Sequence, residues 1–391
     1  ISSEGSAFDT VIALVGETCP PDSGSSGGSS SGGGSTGTNP STVPFRSNQV
    51  HTFDIGSYII PMDTTYQDYG MFKAYGLTYQ LLLNDIPVAW VIKKNKLQNE
   101  ADFTTSAKDV QTLATITDHG YRGGPFVVDS KDAARALPII TAWQTANPDV
   151  KVHRTTAVFT QQVKKAMVAA PTIAMFADGN QEIARGYMAA AGISDSTGDL
   201  GWPDTSPDML TPVETAGASS INHHDGMLFD ADGTPAYCQM MSMHWSLGDS
   251  QKTEGPEVVA EYRDFLQYPV HLFAECQAVS SIENNVNGHF LTPNGFTTGI
   301  IPTTWTFDHF DLPFAQMDGT NFVSTGGSEP SYSLPVGETY YDDNVVMVTD
   351  GATSVGVNDV WMTGYVDGSC SILEESCDPD RVLGLAQGKV S

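Results

Sequence analysis

The sequence predicts an α/β protein built on a mostly parallel sheet with helices on both faces. Three observations predict it. Short, near-continuous apolar runs at 86–92, 125–128 and 172–177 read as strands buried on both sides. Segments whose apolar residues recur at helical spacing stand between such runs. Strand and helix then alternate over several units, the pattern of β-α-β crossovers.

The elements follow in order. Residues 1–22 form an arm in which Phe8, Val11, Ile12, Leu14 and Val15 make one strand. Residues 23–45 are a linker of Gly, Ser, Thr and Pro. Fully extended, such a tether spans roughly 70 Å at about 3.3 Å per residue. A lone strand cannot bury itself, so the arm is expected to add to a sheet edge, its own or a neighbour's. The α/β domain is expected over 46–300. It holds strands at 56–62, 86–92, 125–128, 150–159, 172–177, 226–229, 237–243 and 268–274. Its helices are expected at 70–83, 130–143, 161–169, 180–191 and 256–267, the second capped by Ser130. Residues 301–391, rich in Pro, Gly, Thr and Asp, are a β-rich C-terminal elaboration with strands near 344–349 and 359–366.

Composition bounds the partners. Lys and Arg total 18 against 46 Asp and Glu, a net charge of −28. Such a surface repels nucleic acid and anionic lipid. No run of eighteen apolar residues exists, so no membrane span is expected. Few lysines, abundant Ser, Thr and Gly and five cysteines point to an extracellular or cell-surface location. Cys370 and Cys377 bracket a short loop that a disulfide would close. Cys238 and Cys276 either pair or leave one thiol free, and Cys19 is then available to another chain. The chain opens at Ile1 and reads as a processed or excised piece of a longer precursor.

Cys276 is the main candidate for chemistry. It closes the apolar run 268–274 in the order Ala274-Glu275-Cys276-Gln277-Ala278. The layout over roughly 50–300 resembles the flavodoxin-like fold of class I glutamine amidotransferase-like domains. That family sets its nucleophile on a tight strand-to-helix turn, G-x-C-x-G, where Cys276 stands here and Ala274 and Ala278 replace the glycines. It also supplies a downstream His-x-Glu, and the nearest match is His309-Phe310-Asp311. The resemblance implies a thiolate nucleophile at Cys276, with His309 as base and Asp311 as its orienting acid. The altered turn and the aspartate in place of glutamate imply a domain that has lost its catalytic set.

Other clusters carry paired readings. Asp230-Ala-Asp232-Gly233 is the first half of a calcium loop or a turn, and no acid stands at the later position that would complete the loop. Structural Ca²⁺ is the only cofactor expected. Asp195, Asp199, Asp204 and Asp208 form a second oxygen-rich stretch with the same two readings. His223-His224-Asp225 has metal-ligand residues, but neighbours on an extended segment point to opposite faces. His244 and His271, both on expected strands, are placed to meet in space. Asp63, Asp129 and Asp178 each follow a strand and would line the rim shared by Cys276 or cap the next helix.

The reading preferred from sequence is an extracellular structural protein. It would self-assemble into a fibre or layer through N-terminal strand addition, with copies of itself as partners. The alternative is a secreted cysteine-dependent hydrolase or amidase using Cys276.

Overall fold

The computed structural model describes residues 43–67, 71–94, 96, 100–250, 252–268, 270–275, 278, 281–282 and 285–288, and strand segments at 339–341, 345–349, 354–358, 360–361 and 384–388. The expectations for Phe8, Val11, Ile12, Leu14, Val15, Cys19, Cys276, His309, Asp311, Cys370 and Cys377 lie outside the described residues. The chain forms two compact units. Among the described residues, the first runs to Pro171 and takes in Tyr187–Ile193. The second holds Thr172–Gly186 and the residues from Ser194 on.

The first unit overturns the expected fold class. Its eight strands are β1 (Gln49–Phe53), β2 (Tyr58–Ile60), β3 (Val88–Val91), β4 (Phe103–Asp109), β5 (Thr115–Tyr121), β6 (Phe126–Val128), β7 (His153–Thr155) and β8 (Phe159–Met167). They lie in the order β1-β8-β3-β6-β2-β7-β4-β5, and every pairing is antiparallel. The sheet curls onto itself. β8 and β4 are second and seventh in the order, which in a flat sheet would set them about 24 Å apart. Instead the Phe159 and Phe103 rings stack at 4.2 Å, and Phe103 also stacks on Tyr121 at 5.1 Å. The Gln161 side-chain amide on β8 also donates to the Asp102 carbonyl, just before β4, across the same closure.

The curl explains why the strands read as parallel. Val127 and Ala89 face the inner cluster of Phe53, Ile59, Phe103 and Phe159. Their neighbours Phe126 and Trp90 point to the other face, where Phe126 meets Tyr75 at 5.7 Å. Tyr75 belongs to a helix, Met71–Leu83. With both faces covered, the central strands carry the continuous apolar runs that parallel strands carry. The expected helix at 161–169 is instead strand β8. Its Gln161-Gln162-Val163-Lys164-Lys165 has helical propensity, but pairing with both β1 and β3 decides its conformation. The hairpin β4–β5 was not foreseen, because FTTSAKD and TITDHGY are polar on both faces by composition.

The helices, in chain order, are α1 (Thr64–Gln67), α2 (Met71–Leu83), α3 (Ala133–Ala146), α4 (Glu182–Ala191), α5 (Pro212–Ala216), α6 (Leu247–Ser250) and α7 (Gly255–Phe265). α3 starts after Asp132 rather than from a Ser130 cap. α5 carries a capping box, in which the Thr211 hydroxyl receives the Glu214 N–H and the Glu214 carboxylate receives the Thr211 N–H.

The second unit retains parallel pairing on a smaller scale. β9 (Ile173–Phe176), β10 (Met209–Leu210), β11 (Gln239–Ser242) and β12 (His271–Glu275) lie parallel in the order β10-β9-β11-β12. The C-terminal region extends this sheet with antiparallel strands. β17 (Gly384–Gly388) pairs with β12, and β16 (Val360–Trp361) pairs with β17. A separate antiparallel sheet joins β13 (Thr339–Tyr341), β14 (Val345–Thr349) and β15 (Ser354–Asn358). The expected strand at 226–229 is only an isolated bridge between Phe229 and Pro235. Among the described residues, no helix is long and apolar enough to cross a membrane.

Candidate functional site

The C-terminal ends of β9 and β11 converge on Asp178. This carboxylate is 7% exposed, and four groups donate to it. Oδ1 accepts the Asn180 N–H at 2.8 Å. Oδ2 accepts the N–H groups of Met243 and His244 at 3.1 and 2.9 Å, with the Ser242 hydroxyl at 3.5 Å. Burial pushes the Asp178 carboxyl up, and the N–H groups of His244, Asn180 and Met243 pull it down. The Asn180 side-chain amide also donates to the His244 carbonyl at 3.2 Å. The backbone of His244 is therefore held at both its N–H and its C=O. Its partly buried side chain is close enough to couple electrostatically to Asp178.

Pairing sets these strands side by side. Met241 pairs with Met175 on β9 and with Phe273 on β12, and Ser242 pairs with Ala274. β9, β11 and β12 are therefore adjacent parallel strands whose C-terminal ends lie at one edge of the sheet. Adjacent strands are about 4.8 Å apart. β12 ends at Glu275, so Cys276 is the next residue in the chain although its own conformation lies outside the described residues.

The same register separates one pair that the sequence left open, His244 and His271. Cys238 precedes β11, and its carbonyl accepts the His271 N–H at 2.8 Å at the N-terminal end of the sheet. The pairing of Cys238 with Cys276 lies outside the described residues, because Cys276 is not among them. His271 opens β12 level with Gln239, and His244 lies past the other end of β11, so the two histidines do not meet.

The remaining expectations resolve locally. Asp63 and Asp129 lie in the first unit and Asp178 in the second, so they line no common parallel rim. Asp63 takes the capping role, on α1, whereas Asp129 holds the turn that precedes α3. Asp63 Oδ1 accepts the Thr65 N–H at 3.1 Å, and Asp129 Oδ1 accepts the Lys131 N–H at 2.9 Å. Asp230 and Asp232 form a tight turn, in which Asp232 Oδ1 receives the Thr234 hydroxyl at 2.6 Å. Asp195 Oδ1 likewise receives the Thr197 and Asp199 N–H groups of its own loop. His223 and His224 face different carboxylates, Glu257 at 3.3 Å and Asp264 at 3.4 Å. Among the described residues, no group of three or more His, Cys, Asp or Glu side chains is arranged to hold a metal ion.

One cluster was not foreseen. In the curled sheet, Asp63, Tyr66, Asp109, His119, Tyr121 and His153 gather from α1, β4, β5, β7 and the segment after β2. His119 Nε2 is 3.1 Å from Asp63 Oδ2. The Tyr121 hydroxyl donates to His153 Nδ1 at 2.8 Å. The Tyr66 ring meets both imidazoles edge-on, at 4.8 and 4.4 Å. Inward strand positions normally read as apolar, so polar residues there give the sequence no periodic signal. His153 is fully buried, and burial pushes its imidazole down to about 4. Its Nε2 has no hydrogen-bond partner, and Asp109 Oδ2 is 4.0 Å away.

That burial makes stability depend on pH. Above the ordinary value of 6.5 the imidazole is neutral folded or unfolded, and its contribution is fully present. As pH falls from 6.5 to about 4 only the unfolded chain gains the proton, so stability is lost across that window. The gap corresponds to about 3 kcal/mol. Thermal unfolding of the first unit is therefore expected to fall more steeply between pH 6.5 and 4 in the wild-type chain than in His153→Gln. Parallel pH profiles for the two proteins would contradict it.

No family model, curated protein or solved structure matches this chain.

Proposed function

We propose that the second unit is an extracellular, cysteine-dependent hydrolase of amide or ester carbonyls, with Cys276 as nucleophile and His244 as its base. The observation that carries this reading is the clamp past two neighbouring parallel strands: the Asp178 carboxylate beyond β9 holds the His244 backbone beyond β11, and Cys276 follows β12, the next strand, in the sequence. The C-terminal rim of parallel strands is where open sheets bind ligands. In this reading His244 takes the thiol proton and the thiolate attacks the carbonyl carbon. Collapse of the tetrahedral species expels the amine or alcohol, which regains its proton from His244. Water then cleaves the thioester. Asp178 acts as a positioning residue, because it holds the His244 backbone. The extracellular setting is supported by the acidic composition and the cysteine content.

The test is alkylation of the full chain with iodoacetamide across pH 5–9, read residue by residue by peptide mass spectrometry. Cys276 is expected to react at pH 6 at least about tenfold faster than an ordinary thiol, which is protonated there. His244→Ala is expected to remove that advantage. A Cys276 rate that tracks an ordinary thiol, or one that His244→Ala leaves unchanged, would sink the assignment.

A further inference from the structure

The segment between α5 and β11 lies on one face of α7. Glu257, Glu261 and Asp264 are spaced i, i+4 and i+7 on that helix and so share a face. Each meets one part of the segment. His223 Nδ1 is 3.3 Å from Glu257 Oε2, and His224 Nε2 is 3.4 Å from Asp264 Oδ2. Between them, Glu261 is fully buried and its Oε1 accepts the Gly226 N–H at 3.2 Å. Glu261 Oε2 has no partner.

The segment is seated tightly. A Cβ on Gly226 would come within 2.0 Å of the Thr215 carbonyl oxygen and 3.2 Å of the Glu261 carboxyl carbon, so only glycine fits between α5 and α7. The Met227 N–H donates to the Glu214 carbonyl at 2.8 Å. The His224 ring stacks on Phe229 at 4.3 Å, and the Tyr268 hydroxyl donates to the Gly233 carbonyl at 3.1 Å. Asp225 turns back on its own segment, where Oδ2 accepts the Ala218 and Ser219 N–H groups at 3.2 and 2.9 Å.

We propose that residues 217–234 form a pH-sensitive latch on α7, closed in mildly acidic surroundings and loosened as the medium turns alkaline. The group that responds is Glu261, buried under the segment. Burial is the largest influence on Glu261, and it pushes the carboxyl up to about 8 against the Gly226 and Asp225 N–H groups, while the Asp225 and Asp264 charges push it further up. A seated Glu261 therefore keeps its proton at neutral pH, whereas an exposed one gives it up. Each opening event releases a proton, so opening becomes easier as pH rises from the ordinary 4.5 to about 8 and levels off above. The other charged group of this face, Arg263, is turned to the carbonyls of Asn287 and Gly288.

Hydrogen–deuterium exchange of the full chain tests the latch, with each rate divided by the intrinsic exchange rate at that pH. Protection of the amides of Asp225, Gly226 and Met227 is expected to fall at least about tenfold between pH 5.5 and 8. Protection in α3 and β8 should stay constant. Glu261→Gln keeps the shape and cannot ionise, so its protection should change by less than half as much on a logarithmic scale. His224→Gln, which is exposed enough to be tolerated, should leave the slope in place, because the slope belongs to Glu261. Flat wild-type protection, or an unchanged slope in Glu261→Gln, would overturn the proposal.

Discussion

Gly76→Ala is expected to destabilise the first unit by about 3–5 kcal/mol, at the upper end of overpacking effects. Gly76 sits inside α2, where alanine would normally be preferred by about 1 kcal/mol. Here the added Cβ would meet the Ala191 carbonyl oxygen at 1.9 Å and Trp143 Cζ2 at 2.7 Å. Neither neighbour can give way cheaply. Ala191 ends α4, and Trp143 is pinned because its Nε1 donates to the Lys73 carbonyl at 2.9 Å. Lys73 Nζ in turn donates to the Ala189 carbonyl at 3.0 Å, so helix and tryptophan are tied to the same turn of α2. A loss of that size lowers the melting temperature of a unit this large by roughly 10 °C. A Gly76→Ala chain that melts within about 2 °C of wild type would show that α2 and α4 do not approach as closely as described.

The second large effect is expected from Asp178→Ala. Removing the carboxylate leaves the N–H groups of Asn180, Met243 and His244 without their acceptor at a buried position. Each orphaned donor costs about 1–3 kcal/mol, so the total is about 3–5 kcal/mol after partial relaxation. Asp178→Asn is the informative companion. Its side-chain oxygen can still accept from two of the three donors, so about half of the stability should return. The charge does not return, and with it goes the electrostatic interaction with His244. Asp178→Asn is thus expected to recover stability while the thiol at position 276 stays slow to alkylate. Full recovery of both would mean that Asp178 acts on the backbone alone.

Local rules carried the reading of individual elements further than the reading of their assembly. The runs at 86–92, 125–128 and 172–177 contain β3, β6 and β9, and the helical period around Tyr75 and Val258 marks α2 and α7. Hydrophobic period reports whether a segment is buried on one face or on both. It does not report what buries it. In β3 and β6 one covering layer is helical and the other is the far side of the same curled sheet, so antiparallel strands carried a parallel signature. The hairpin β4–β5 stayed hidden for the converse reason. Thr105, Ala107 and Asp109 face inward without being large and apolar.

The site shows the same division. Cys276 was legible because it closes an apolar run, and β12 does end beside it. His244 and Asp178 were visible only as isolated residues, 66 positions apart in the chain. Parallel pairing sets their strands side by side, and hydrogen bonding to one carboxylate then locks the two strand ends together. His119, His153 and Tyr121 give no warning at all, since a buried imidazole and a solvated one are the same letter.

What the sequence determined alone was therefore local and compositional: the acidic charge balance, most strands and helices, and a thiol at the end of a buried strand. Direction of pairing, curl of the sheet, the seating of residues 217–234 on α7 and the clamp of Asp178 on the His244 backbone were decided only in the folded chain. The reason is physical. These features depend on contacts between residues far apart in sequence, and the free energy of such contacts is settled by which surfaces exclude water together, not by the propensity of either segment.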